Sequence, residues 1–99
     1  MRPRTGPTPP VHPGEVLSLE YLEPLGLTPY AVAKACRVPR TRIERLARGE
    51  TPVSADTALR LSRYFGTTPQ FWMNLQANYD LAIASQDTEL AQIAPRDAA

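Results

Sequence analysis

Apolar residues recur three and four positions apart along most of the chain between His12 and Ala84. Leu17, Tyr21, Leu22 and Leu25 form the first series, and Val32, Ala33 and Cys36 the second. Ile43, Leu46 and Ala47 form a third, and Ala58, Leu61, Ser62 and Phe65 a fourth. Trp72, Leu75, Gln76 and Tyr79, with Phe71 beside them, complete the set. Such spacing gathers each series on one face of a helix. Nowhere do β-branched and polar residues alternate over the length a strand needs. The pattern predicts an all-α fold of five helices, at about 13–25, 28–36, 39–48, 54–65 and 69–84.

Local chemistry marks the boundaries. Thr28-Pro29 and Thr68-Pro69 each supply an N-cap side chain followed by proline at the first helical position. His12-Pro13 and Val38-Pro39 also put proline at a start, with weaker caps. Ser54 is a further N-cap, with Asp56 in the first turn where the helix dipole favours an anion. Gly26, Gly49 and Gly66 follow apolar-periodic segments, where a left-handed residue ends a helix. Pro24 is expected to kink or tighten the end of the first helix. The reading divides the chain into a Pro/Arg leader at 1–11, a folded domain at 12–85 and a polar tail at 86–99, with one further short helix expected over Thr88 to Ala94.

Only Arg37 and Val38 separate the second and third helices. Across so short a link two helices cross steeply, as in a helix-turn-helix, here at about 28–48. Small Ala33 relieves the crossing, while Ile43 and Leu46 pin the third helix to the core. Its other side then carries Thr41, Glu44, Arg45 and Arg48, with Arg40 and Arg42 on its first turn. Arginine suits bidentate bonding to guanine edges and to phosphate. Thr41 suits a thymine methyl or a phosphate. At Thr28 the start of the second helix offers backbone N–H groups to a phosphate. A solvated arginine face stabilised by a Glu44–Arg48 pair is the bland alternative.

The tight link, Ala33 and the Ile43/Leu46 pair favour the first reading, and the charge distribution agrees. The net charge of the 99-residue chain is only +1. Residues 28–66 nevertheless carry Lys34, Arg37, Arg40, Arg42, Arg45, Arg48, Arg60 and Arg63 against Glu44, Glu50 and Asp56, a net +5. Residues 13–27 hold Glu15, Glu20 and Glu23 with no base, and residues 67–99 are also net −3. The basic middle points to a polyanion, and the acidic first helix is either solvated surface or a docking face for a basic partner.

The segment TPYAVAKACRVPRTRIERLARG, Thr28 to Gly49, resembles the helix-turn-helix of Cro/C1-type (XRE) repressors through Val32, Ala33, Ile43, Leu46 and Gly49. Over His12 to Ala84 the chain is similar to the HigA/VapI branch, antitoxins of type II toxin–antitoxin modules, with HPGE at the opening and TPQFWMNLQ around Trp72 the more specific blocks. The resemblance implies a compact lambda-repressor-like domain that forms a homodimer and binds operator DNA. It also implies a HigB/RelE-like toxin that cleaves mRNA and is neutralised by complex formation. By position, Arg40, Thr41 and Arg45 match base-reading residues, Glu44 less closely, and Arg42 and Arg48 match phosphate contacts. Arg37 departs from the pattern, since the turn residue is commonly glycine.

The remaining residues favour simple roles. His12 reads as a capping or surface group, and Cys36 as a small buried hydrophobe. Trp72, Phe71 and Tyr79 read as core. Leu81 and Ala82, which have little left to cover in a monomer, mark a dimer interface. One His and one Cys supply no convergent catalytic set, no zinc cluster and no disulfide, and no phosphate loop is present, so neither an enzyme nor a cofactor is expected. No apolar run approaches a membrane span and no signal-peptide core is visible, so a cytoplasmic protein is expected. A stand-alone regulator without a toxin, and an interaction module that no longer binds DNA, remain the rival readings.

Overall fold

The computed structural model describes residues 9–97, and the first eight residues of the expected leader lie outside them. Among the described residues the chain is helical throughout, without strands. Helix α1 runs over 13–25 in three stretches: α-helical Pro13–Val16, π-helical Leu17–Leu22 and α-helical Glu23–Leu25. Then follow α2 (Pro29–Cys36), α3 (Arg40–Ala47), α4 (Ala55–Phe65) and α5 (Pro69–Ala84). The tail forms a 3₁₀ turn at Thr88–Gln92, shorter than expected, capped by the Asp87 carboxylate, which accepts from the Glu89 N–H at 2.9 Å.

The caps act as anticipated. Thr28, Ser54 and Thr68 accept from Ala31, Thr57 and Phe71 N–H groups at 3.1, 3.2 and 3.1 Å. His12 is a capping residue through Nδ1, which accepts from Gly14 N–H at 2.8 Å, and its ring packs edge-on against Tyr79. Pro39 does not open α3. It stands outside at the N-cap position, with extended ψ of 144° and no capping side chain.

Pro24 reshapes α1 more widely than a tightened last turn. Its nitrogen cannot donate, and its ring crowds the carbonyl four residues back. The ladder ahead of it opens, so Glu23 N–H reaches Ser18 O, five residues back. Leu17 and Leu22, at the two ends of the wide stretch, are both buried. Leu25, expected on the core face, is instead 59% exposed. After left-handed Gly26 the chain folds back, and Leu27, whose N–H bonds Leu22 O at 2.9 Å, packs on the core in its place.

Leu17, Val32, Ala33, Ile43, Leu46, Ala58, Leu61 and Trp72 fill the centre with at most 1% exposure. Val53, from the α3–α4 loop, joins them although no periodicity marks it. Tyr21, Phe65 and Phe71 ring Trp72 with centroids 5.3, 6.5 and 5.1 Å from it, and the indole N–H donates to Thr67 Oγ1 at 2.8 Å. Gln76, also buried, accepts from Val53 N–H at 2.7 Å and donates to Asp80 at 2.9 Å, tying the loop to α5.

Candidate nucleic-acid interface

Helices α2 and α3 pack on each other, and each rests on a further element: α2 on α4, and α3 on α1. The link between them is held by a left-handed Arg37, with φ of 60° and ψ of 47°. A side chain in this conformation costs about 1–2 kcal/mol. The backbone is nevertheless fully used there: Val38 N–H reaches Ala33 O at 3.0 Å and Arg37 N–H reaches Lys34 O at 3.3 Å. Arg60 from α4 adds a clamp, its Nη1 donating to Cys36 O at 2.9 Å. The turn therefore keeps the usual geometry without glycine.

α3 is fixed from behind by α1. Gly14 is buried, and a Cβ placed on it would lie 1.9 Å from Leu46 O, so the two backbones touch at a point only glycine fits. One turn further on, Ser18 Oγ donates to Ala47 O at 3.2 Å and satisfies a carbonyl at the end of α3. Ile43 and Leu46 are 1% exposed. The opposite side of α3 is thereby set rigidly toward solvent.

That side presents the expected residues. Arg40, Thr41, Arg42, Arg45 and Arg48 are exposed or partly so, and Glu44 is half-buried. Thr41, Arg42 and Arg45 line one surface groove of about 390 Å³ with Thr51, Pro52 and Ser54 of the following loop. The Glu44–Arg48 pair anticipated from spacing does not form. Glu44 takes Arg40 Nε at 3.3 Å, while Arg48 bonds Glu50 at 2.8 and 3.5 Å. The Glu50 hydrogen bond, then its charge, raises the Arg48 pKa further above its already high ordinary value. Arg42 bonds Asp56 on α4, and Asp56 also takes Arg60 Nε at 3.0 Å. The bond from Arg42 first, and that from Arg60 second, hold the Asp56 carboxyl below its usual 3.8.

At the start of α2 the cradle is narrower than the sequence suggested. Pro29 has no N–H, and the Ala31 N–H is already taken by Thr28 Oγ1. The Thr28 hydroxyl proton and the backbone N–H groups of Thr28 and Tyr30, which have no helical carbonyl to bond, remain as donors. Sequence reasoning missed Gly14, Ser18, Glu50, Asp56 and Arg60 as residues that place this surface. Gly14 carried a signal only as part of the HPGE block, and Asp56 only as a first-turn acid, a signal that spoke of its own helix.

Among the described residues, no group of three or more His, Cys, Asp or Glu is arranged to hold a metal ion, and no helix is long and apolar enough to cross a membrane. Cys36 is buried, and that burial, against the field of Arg60, raises its thiol pKa above 9.0.

Two short helices crossing over a tight turn, with the second offering a basic face to solvent, define a helix-turn-helix protein. A family model described as Helix-turn-helix matches residues 19–72. Virulence-associated protein I of Dichelobacter nodosus is 49% identical over 85 residues, which cover 86% of this chain and 79% of that protein. Two solved structures from Pseudomonas aeruginosa are similar in fold and sequence. PA4674 in complex with its 18-bp operator DNA has a TM-score of 0.84 and 41% identity, covering 88% of this chain and 97% of that one. Antitoxin HigA with the higBA promoter has a TM-score of 0.81 and 42% identity, covering 87% and 97%. The chain belongs to the HigA/VapI-type antitoxins of the XRE (Cro/C1-type) helix-turn-helix family.

Proposed function

We propose that this protein is the antitoxin of a type II module: a cytoplasmic homodimer that represses its own promoter and binds a HigB/RelE-like, mRNA-cleaving toxin. The observation that carries the DNA reading is the outward basic face of α3, held by α1 and α4 on a rigid helix-turn-helix. Its likeness to PA4674, solved with its operator DNA, and to antitoxin HigA, solved with the higBA promoter, supports the DNA reading. In this reading Arg40, Thr41, Glu44 and Arg45 meet base edges, and Thr28, Arg42 and Arg48 hold phosphates. The working domain is 12–85, with 86–99 as a tail.

Dimerisation is supported by the end of α5, where Leu81 is 67% exposed and Ile83 44%, with half-buried Ala82 between them. A symmetric pair would set two α3 helices about 34 Å apart, one turn of duplex. Glu15, Glu20 and Glu23 are exposed on α1 beside Val11 and Leu19, which are 51% and 55% exposed. An acidic surface with apolar residues suits the cationic surface that an RNA-cleaving partner requires.

The test is co-expression with the adjacent reading frame, followed by a shift assay on the upstream promoter fragment. Co-purification of a small basic partner and a retarded promoter band are expected. A retarded band without any partner would leave a stand-alone regulator, and no retardation would overturn the DNA assignment. Charge reversal by Glu20→Lys with Glu23→Lys is expected to abolish co-purification, and unchanged co-purification would remove α1 as the docking face.

A further inference from the structure

Three of the four arginines on the outward side of α3 are already held by carboxylates of the same chain. Arg40 is held by Glu44, Arg42 by Asp56 and Arg48 by Glu50. Of the four, the side chain of Arg45 alone makes no ion pair or hydrogen bond among the described residues. Two of the three acids lie outside α3: Glu50 in the loop that follows it, and Asp56 in the first turn of α4. The paired side chains are 32% to 61% exposed, so these pairs are weak and exchangeable.

We propose that Glu50 and Asp56 are specificity-determining residues, which tether the phosphate-seeking Arg48 and Arg42 and so suppress indiscriminate binding to duplex DNA while leaving Arg45 free to read a base. This rests on the reading of α3 as the DNA-facing helix. A guanidinium has five N–H donors. Arg48 commits Nε and one Nη2 proton to Glu50, and Arg42 commits Nη1 to Asp56, so each keeps donors for a phosphate that arrives in the correct register. In that register the tether orients the donor in advance and lowers the entropy lost on binding. On DNA of arbitrary sequence only phosphates are engaged, by side chains that must follow the backbone. A tethered arginine follows only by leaving its carboxylate, which then stands as a like charge beside the phosphate. The acids therefore penalise random DNA more than the operator. Asp56 is the more firmly built of the two, because Arg60 holds it from the other side while also bonding the α2–α3 turn.

The experiment measures binding of the full chain to its promoter fragment and to a random duplex of equal length, across a salt series. Glu50→Gln removes the charge that holds Arg48, in an exposed loop, and Asp56→Asn provides an independent second variant. Each is expected to bind the random duplex about fivefold more tightly at about 0.15 M salt, with a salt slope steeper by about 0.9, as one further neutralised phosphate gives. Promoter affinity is expected to rise less, so the promoter-to-random ratio falls, and Glu50→Asp restores it. Unchanged or weaker random binding in both variants, or equal increases on the two duplexes, would overturn the proposal. Failure of the unaltered chain to prefer its promoter would instead overturn the DNA reading on which it stands.

Discussion

Replacing Gly14 by alanine tests whether α1 sets the position of α3, the helix proposed to face DNA. The added Cβ would sit 1.9 Å from Leu46 O, 3.0 Å from Leu46 C and 3.1 Å from His12 Nδ1. Real Cβ atoms essentially never approach a neighbour below 3.0 Å, so the α1 and α3 backbones must separate by at least 1.1 Å, the difference between 3.0 and 1.9. Neither side yields easily: Leu46 O accepts Gly49 N–H at 2.9 Å, and Gly14 N–H is fixed on His12. Overpacking of this kind costs about 1–3 kcal/mol. In a domain of this size about 2 kcal/mol lowers Tm by about 8–16 °C. A shift of that size also misplaces the arginines of α3, and each bidentate bond to a base that fails to form costs about 1–3 kcal/mol. Thermal unfolding followed by circular dichroism, and promoter binding below the transition, measure the two effects separately. Glu15→Ala, at the exposed neighbouring position, is the control and should change stability by no more than about 0.5 kcal/mol. A Gly14→Ala protein with Tm within about 2 °C of the parent and unaltered promoter affinity would refute the account of α1 as the backbone support of α3.

Other consequences can be checked directly. Arg45→Ala is expected to weaken promoter binding by about 1–3 kcal/mol and relax one base preference, whereas Arg48→Ala should mainly flatten the salt slope by about 0.9; equal effects of both on promoter and random DNA would contradict this division. Arg37→Gly removes left-handed strain and should raise stability by about 1 kcal/mol, and a lower Tm would show that the turn depends on the Arg37 side chain. If the proposed dimer forms through the end of α5, Leu81→Asp should leave a monomer in analytical ultracentrifugation, and a retained dimer would move the interface elsewhere. Asp56 has a folded pKa below its unfolded one, so its contribution to stability is complete above about pH 5 and is lost as pH falls through the folded value. The Tm difference between the parent and Asp56→Asn should accordingly shrink toward zero in acid, and a difference that grows there would reverse the assigned sign.

What the sequence made legible was local. Thr28-Pro29, Ser54 and Thr68-Pro69 mark helix starts because a cap depends only on the next three residues. Gly26, Gly49 and Gly66 mark ends because left-handed φ is a property of one residue. The buried faces of α2, α3 and α4 followed from spacing for the same reason. The opened ladder of α1 did not, although Pro24 announces a disturbance. Proline fixes where the ladder must change, and packing of Leu17 and Leu22 into the core accompanies the wide turn that results. Val53 was missed because an isolated loop residue has no period to betray it.

The α3 surface shows the same division with more at stake for function. Its outward residues were readable once Ile43 and Leu46 had been assigned inward, since one face of a helix defines the other. Their pairing was not, because counting four residues along the helix pairs Glu44 with Arg48. In the fold Glu44 turns back to Arg40, and the Arg48 partner is Glu50 beyond left-handed Gly49. Arg42 finds its acid 14 residues away, at the start of a helix whose placement depends on the whole core. A cationic face inferred from composition is therefore one in which most cations are already answered. That distinction separates a general polyanion binder from one whose free arginine on this face is a single residue, Arg45, set on a helix that α1 and α4 hold in place.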